Sequence, residues 1–326
     1  MLDTSVETTV IENAVRLACR APSLHNTQPW RWVAEAGRLD LFLDSSRVLR
    51  ADRSMREAHI SCGAALDHLR VAMEAAGWRA DVDRFPDPET PEHLATTEFT
   101  PIDRVTDDHR RRADAILKRR TDRLPFLDPT DWEAFEPLLR SRVGADTVRL
   151  DVLHDEIRSR LAEAAELTES LRRYDSAYHS ELDWWTGSFE VSEGIPYSSL
   201  VSADESGRVG VNRAFPPVRN TQRRTGVGPD YSKVLMLSTE DDSRGDALRC
   251  GEALSTVLLE CTMAGLSTCP VTHLTELSVS RELLAALTDH TDLPQVLIRV
   301  GNAPALEAVP PPTPRRPLAD VLQLKS

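Results

Sequence analysis

The sequence predicts an α+β protein built from two related halves on one chain. The main evidence is a repeat: residues 62–77 (CGAALDHLRVAMEAAG) align with residues 250–265 (CGEALSTVLLECTMAG) at one fixed offset. Cys62 matches Cys250 and Gly63 matches Gly251. Ala65 and Leu66 match Ala253 and Leu254, and Ala76 and Gly77 match Ala264 and Gly265. Apolar residues recur in both segments at spacings of three and four, as a buried helix requires, and each segment closes on a glycine suited to a helix C-cap. The second observation is that short apolar runs of strand character flank each repeat. Alanine-rich helices resemble one another, so chance is the competing explanation. Six identities at one offset favour an ancient duplication, in which each half contributes a central helix. A duplicated chain can imitate a symmetric homodimer, with former subunit-interface surfaces packed inside one molecule.

The elements follow in order. Residues 5–20 (SVETTVIENAVRLACR) have helical period and stop before Ala21-Pro22. Residues 30–35 and 39–43 alternate as the strands of one hairpin. Proline and acid dominate 84–93 (RFPDPETPEH), read as a loop leading towards the connection between halves. In the second half 147–153, 232–238 and 295–300 read as strands, and 156–182 as one long amphipathic helix. Segment 309–317 (VPPPTPRRP) is too rich in proline for helix or sheet and is expected to run extended over the surface. The halves are placed at 1–117 and 118–326, with 309–326 as an extended basic tail. Residues 186–230 stand apart, with six glycines amid polar residues and with Phe189, Ile195, Tyr197 and Phe215 scattered through them. So long a stretch without periodicity is usually a functional lid or a mobile insert. A disordered loop is the plainer alternative, although the aromatics argue that something is covered.

Composition removes several function classes. Apolar residues make up 40% and charged residues 28%, as in ordinary soluble domains. No apolar run reaches the length of a membrane-spanning helix, and the N-terminus lacks the pattern of a signal peptide, so a cytoplasmic protein is expected. A formal charge of −13 argues against nucleic acid or an anionic membrane as partner. The five cysteines contain no C-x-x-C pair and imply neither a disulfide framework nor a zinc site. Walker, G-x-G-x-x-G, H-E-x-x-H and G-x-S-x-G motifs are all missing. Only Lys118, Lys233 and Lys325 are lysines, so a lone arginine carries little weight in this chain.

Four segments remain. Ala21-Pro22-Ser23-Leu24-His25-Asn26-Thr27-Gln28-Pro29-Trp30 follows the first helix, and a proline near each end makes it a rigid loop in which Ser23 and Asn26 offer polar groups. Read alone, it also serves as a helix-to-strand turn with Trp30 in the core. Arg119-Arg120-Thr121-Asp122-Arg123 sets guanidinium forks around a hydroxyl, a pattern suited to phosphate, though a solvated basic face is an equally ordinary reading. Gly265-Leu266-Ser267-Thr268-Cys269-Pro270-Val271-Thr272 reads as a loop able to bring backbone close to a flat ring. Thr313-Pro314-Arg315-Arg316-Pro317 is a second basic cluster.

Taken together these segments resemble the nitroreductase family. APSLHNTQPW resembles its A-P-S-x-x-N-x-Q-P-W loop, and RRTDRLPF its R-R-S-x-R-x-F phosphate motif, with Thr121 in place of the usual serine. AGLSTCPV resembles its flavin loop. LIRVGNAP with TPRRPL resembles its C-terminal R-x-G-Y-P and basic tail, with Asn302 where an aromatic is common. The match spans residues 10 to 321. The order of motifs departs from the family, in which the arginine motif usually precedes the A-P-S loop. Here the loop lies in the first half and the arginine motif opens the second, and neither occurs twice. This arrangement looks like the Acg-type branch, whose members resemble fused nitroreductase dimers with a lid over the flavin.

The resemblance implies a nitroreductase-like fold, duplicated so that its halves mimic the family's homodimer, and one FMN per chain between them. By the same resemblance Arg119 and Thr121 hold the phosphate or ribityl chain, and Arg123 reaches the flavin N1–O2 edge. Pro22, Ser23 and Asn26 contact the isoalloxazine, Pro270, Val271 and Thr272 lie beneath it near N5, and Arg315 and Arg316 close on the phosphate. An NAD(P)H-dependent nitroreductase, with hydride transfer at N5 to a small nitro or quinone acceptor, needs no protein nucleophile or metal. His25 is the candidate proton donor. The alternative function is a protein that stores or sequesters FMN beneath the 186–230 lid, and a third is a degenerate interaction protein without cofactor. The molecule is expected to be a monomeric pseudo-dimer or a weak oligomer.

Overall fold

The computed structural model describes residues 6–144, 147–187, 193–216, 222–306 and 309–325 of the 326-residue chain. At its centre two twenty-residue helices cross, α2 (Arg56–Ala75) and α8 (Arg244–Met263). Both ends of both helices fall at the offset of 188 that relates the repeat, so the duplication covers each helix entirely. Gly77 and Gly265 follow them with φ of +92° and +76°, the left-handed conformation that lets the chain leave a helix at glycine.

The crossing needs glycine on both helices. A Cβ on Gly63 would lie 1.9 Å from the Leu248 carbonyl oxygen, and one on Gly251 would lie 2.0 Å from that of Ile60. Ile60 and Leu248 are themselves counterparts at the same offset, so exchanging the halves turns one contact into the other. That reciprocity is the signature of an isologous two-fold interface, here inside one chain. The cores interlock in the same way, Leu248 packing in the core of the first half and Ile60 in that of the second.

Each half lays a sheet beside its helix. In the first half, α1 (Thr8–Ala18) precedes the hairpin β1 (Trp30–Glu35) and β2 (Arg38–Leu43). After α2 come β3 (Trp78–Arg84), β4 (His93–Pro101) and α3 (Asp107–Lys118). The second half holds α4 (Trp132–Val143), β5 (Arg149–Leu153), α5 (Arg158–Arg172), α6 (Ser176–Trp185) and α7 (Ala203–Ser206). β6 (Lys233–Thr239), α8, β7 (Ser267–Val271), α9 (Ser278–Ala285) and β8 (Leu293–Gly301) follow, and the chain ends in α10 (Leu318–Val321) and β9 (Leu322–Leu324). The sheet orders are β3-β4-β2-β1-β9 and β5-β6-β8-β7. All pairs are antiparallel except β1 with β9. Fully buried Trp30 and Trp32 of β1, Leu39 and Leu41 of β2, and Leu66, Leu69 and Met73 of α2 form the first core.

Four expectations need correction. Segment 84–93 does not lead to the connection between halves; it joins β3 to β4 in an antiparallel hairpin. The single helix over 156–182 is two, α5 and α6, because Asp175 accepts from the Tyr178 backbone N–H at 3.0 Å and caps a new start. Segment 265–272 is a strand for most of its length, the edge strand β7. Pro270, which lacks an N–H, is tolerated at such an edge. The tail is not extended throughout: α10 and β9 return it to the first sheet, where Trp32, Val33 and Ala34 pair with Leu322, Gln323 and Leu324. The end of the chain thus completes the sheet begun near its start. Phe189 and parts of the 186–230 segment (188–192 and 217–221) lie outside the described residues.

Candidate functional site

A mainly apolar-walled cavity of about 920 Å³ lies where the two halves meet. The first half contributes Pro22, Ser23 and His25 from the α1–β1 loop and Ile60 and Ser61 from α2. The second contributes Thr121 and Arg123, Leu254 of α8, and Cys269, Pro270, Val271 and Thr272 on and after β7. A smaller cavity of about 570 Å³ adjoins it and shares Pro22, Ser23, His25, Thr121 and Arg123. Arg20, Asn26, Arg119, Thr313 and Arg315 extend this second space.

Local backbone geometry sets these side chains in place. His25, Asn26 and Gln28 all have φ between +49° and +60°, so the loop packs three left-handed non-glycine residues into four positions. Such strain persists only where surrounding structure holds it, and it clusters at functional sites. Here Ser23 Oγ accepts from the Gln28 N–H at 3.0 Å, and Ser61 Oγ accepts from the Leu24 N–H at 3.2 Å. The 119–123 segment is clamped to β7 by an isolated bridge from Thr121 to Thr268 and by the Asp122 N–H donating to Thr268 O at 2.9 Å.

The smaller cavity is strongly cationic. Among the described residues Arg20, Arg119 and Arg315 have no carboxylate partner, and their hydrogen bonds run to backbone carbonyls: Arg20 to Thr313, Arg119 to Arg20, and Arg315 to Cys19, Arg20, Ala21, Thr313 and Pro314. Arg119 is 6% exposed, and its buried Nε and Nη1 have no hydrogen-bond partner among the described residues. Burial, then the like charge of Arg20, pushes Arg119 down to about 10; burial, Arg20 and Arg119 push Arg315 down to about 9. Unpaired buried cations are expensive, and a multiply charged anion with several acceptor oxygens is the group that would neutralise them.

The larger cavity is roofed by the 193–216 segment, whose Ile195, Val201, Asn212, Arg213 and Phe215 face into it. Phe215 meets His25 edge-on at 6.3 Å between ring centroids, and the Arg123 guanidinium stands 5.1 Å from the Phe215 centroid. Among the described residues Arg123 forms no ion pair, and burial draws its pKa downward. Burial and then Arg213 push the His25 imidazole down to about 3, which disfavours its charged form.

The cavities thus bring together Pro22, Ser23, Asn26, Arg119, Thr121, Arg123, Pro270, Val271, Thr272 and Arg315 from the expected set. Two need comment. The Asn26 amide donates to Gly194 O at 3.0 Å and Pro314 O at 3.1 Å, tying the roof and the tail to the loop. Arg316 lines neither cavity, contrary to expectation. It lies 3.3 Å from Asp44 and bonds Gln28, Trp30 and Asp320 carbonyls, fastening the tail to the first sheet. Sequence reasoning missed Arg20 and Arg213, which carry no signal in so arginine-rich a chain. Among the described residues no cluster of metal-binding side chains occurs, and no helix is long and apolar enough to cross a membrane.

A duplicated α+β fold with a roofed cavity and an adjoining cationic one between its halves defines the class. No family model matches the chain. It is 61% identical over 327 residues to the "Putative NAD(P)H nitroreductase acg" of Mycobacterium tuberculosis (strain H37Rv), spanning all of this chain and 99% of that one. An uncharacterized protein of the same organism is 56% identical over 321 residues, 97% of this chain and 93% of that one. Solved structures with a similar fold include the FMN-dependent nitroreductase NfnB from Mycobacterium smegmatis in complex with NADPH (16% identity, 68% of this chain and 100% of that one, TM-score 0.41). Another is the FMN- and NADPH-dependent nitroreductase NfnB from a Sphigopyxis species (14%, 66% and 99%, TM-score 0.41). The chain belongs to the nitroreductase family, in its Acg-type branch.

Proposed function

We propose that the joined cavities bind one FMN per chain and that the 193–216 roof keeps it covered, so that the closed protein holds flavin more readily than it turns it over. The observation that carries this reading is the cluster of Arg20, Arg119 and Arg315, whose guanidinium groups have only backbone partners among the described residues. A phosphate monoester fits that donor set, with the Thr121 hydroxyl beside it, and Arg119 Nε and Nη1 are the orphaned donors it would satisfy. The adjoining cavity, walled by Pro22 and Ser23 on one side and Pro270, Val271 and Thr272 on the other, suits a flat ring system. FMN, when bound, supplies two-electron redox chemistry. Arg123 would stand at the ring's polar edge, where a cation favours negative charge on the ring.

One site per chain is supported by the counterpart position. The offset of 188 carries Thr272 onto Arg84 and Ala64 onto Glu252. Those two side chains form a two-pronged ion pair of 2.8 and 2.6 Å, with Arg244 over Phe85 at 5.3 Å beside them. A large, ion-paired side chain thus stands at the counterpart of Thr272, which lines the first site.

A second reading is NAD(P)H-dependent nitroreductase-type turnover with a small nitro or quinone acceptor. The unpaired Arg123 favours it, since a fixed cation at the ring edge promotes reduction. The test is to purify the protein, quantify released FMN, and mix it anaerobically with NADPH, NADH and dithionite. Retained flavin that dithionite reduces and nicotinamides do not supports the covered form. Rapid bleaching by NADPH overturns it in favour of turnover, and a colourless protein overturns both. Changing Arg119 and Arg123 together to alanine is expected to abolish flavin retention.

A further inference from the structure

Among the described residues, a buried cation of the roof, Arg213, is held on the second half. Arg213 donates to Tyr178 Oη at 2.6 Å and to Thr272 Oγ1 at 3.3 Å, and it is ion-paired with Glu276. Both side chains of that pair are 7% exposed. Glu276 is also held by Arg172 at 3.1 Å, and Arg172 stacks over the Tyr178 ring at 4.2 Å. Thr272 and Arg213 line the cavity, and Phe215, two residues beyond Arg213, covers it.

Val211, two residues before Arg213 and fully buried, packs in the core of the second half, and the roof's polar attachments other than Arg213 lie mostly at its margins. Arg47 with Glu193 is the partly solvated pair at its start, the side chains being 17% and 28% exposed. The Ala214 N–H bonds the exposed Glu169 at 3.1 Å. Arg224 with Asp122 anchors the chain beyond the roof, not over the cavity. An ion pair strengthens as water is excluded from it, so these attachments differ in worth.

We infer that Arg213 and Glu276 are the latch that keeps the roof shut, and that this pair decides whether a bulky reductant reaches the cavity. The inference rests on the covered-flavin reading, but the latch itself is a property of the chain. Burial alone would raise the Glu276 carboxyl; Arg213 and Arg172 outweigh it and hold it well below the usual carboxylate range, which favours an ionised pair near neutral pH. The latch is therefore not released by mild acid. It is released by whatever competes for Arg213, and an anionic group entering from the cavity side is the ligand with that chemistry.

The test compares Arg213→Met with wild type by amide hydrogen exchange across 209–215 and by anaerobic reduction with NADPH. Glu276 keeps Arg172 in this variant, so no carboxylate is stranded. Tyr178→Phe, which removes one hydrogen bond to Arg213 and keeps the ring, is the milder second variant should the first fold poorly. Arg47→Met is the control, expected to leave exchange at 209–215 unchanged. In Arg213→Met we expect exchange there to quicken roughly tenfold or more, with a smaller effect of the same sign in Tyr178→Phe. Flavin reduction by NADPH should accelerate alongside. Wild-type exchange rates in both variants overturn the latch. Faster exchange with a flavin as resistant as before overturns its control of access. If wild type carries no flavin, the FMN reading fails while the exchange comparison still decides the latch.

Discussion

Replacing Gly63 by alanine would place a methyl carbon 1.9 Å from the Leu248 carbonyl oxygen and 3.0 Å from Gly251 Cα. The obstruction is backbone of a buried helix, so no side chain can swing aside, and α2 and α8 must part by more than an ångström to restore van der Waals distance. Overpacking of this kind costs roughly 1–3 kcal/mol or more. Against it stands the better helix propensity of alanine, about 1 kcal/mol in a helix interior. The net expectation is a loss of about 2 kcal/mol. Unfolding entropy at roughly 2.1 cal/mol/K per residue gives the chain about 0.7 kcal/mol/K, so the melting temperature should fall by about 3 °C. Gly251→Ala, 2.0 Å from the Ile60 carbonyl, should cost about the same. The double variant should cost clearly less than the two losses combined, because helices already parted accommodate the second methyl. Thermal unfolding followed by far-UV circular dichroism measures all three, with Gly226→Ala, whose Cβ would meet nothing within 4 Å, as the control. A Gly63→Ala protein that melts with wild type, or a control that loses as much, would refute the reciprocal crossing.

Two further outcomes are expected. His25 and His273 are kept neutral, both at about 3, by burial first and then by Arg213. Their folded pKa lies below the unfolded value of about 6.5, so between those values the unfolded chain binds protons that the folded chain does not, and stability falls as pH falls. Each can contribute up to about 1.4 kcal/mol per pH unit in that window. Urea unfolding at pH 7 and pH 5 should therefore show a steeper acid loss in wild type than in His25→Asn/His273→Asn, and equal slopes would count against the assignment. Deleting residues 318–325 strips β9 from β1 and exposes the edge at Trp32, Val33 and Ala34. Loss of the buried Val321 and Leu322 side chains predicts about 3 kcal/mol lower stability, together with concentration-dependent association visible by light scattering; a monodisperse, equally stable protein would contradict it.

The features legible in the sequence were those with a strong local period. The helices α2 and α8 announced themselves by repetition, and the β1–β2 hairpin, β6 and β8 by apolar alternation or runs. β3 (WRADVDR) has the alternation, with Trp78, Ala80 and Val82 on its more buried face, but its charges mask the strand. β9 is three residues long and exists only because β1 offers it an edge, a long-range fact that no local pattern records. In the site, the loop at 22–26 and the 119–123 cluster were readable because their residue types are unusual together. Arg315 and Arg316 show the limit. Adjacent residues of an extended chain point to opposite sides, so one arginine joins the cationic cavity while its neighbour meets Asp44, and the sequence does not say which. Arg213 was invisible for a different reason: its meaning comes entirely from Glu276, more than sixty residues away.

The α2–α8 crossing also bears on dilution. Where two separate subunits frame a pocket, the pocket exists only as long as the subunits stay together, and it fades as their concentration drops. Here both walls belong to one covalent chain, so the pocket at the seam is equally complete in a single molecule and in a concentrated solution. Covalent joining also frees paired positions from having to match. Ser61 faces the cavity, while its counterpart Arg249 sits partly exposed near Asp246, a divergence that a homodimer encoding one residue for both places could not make.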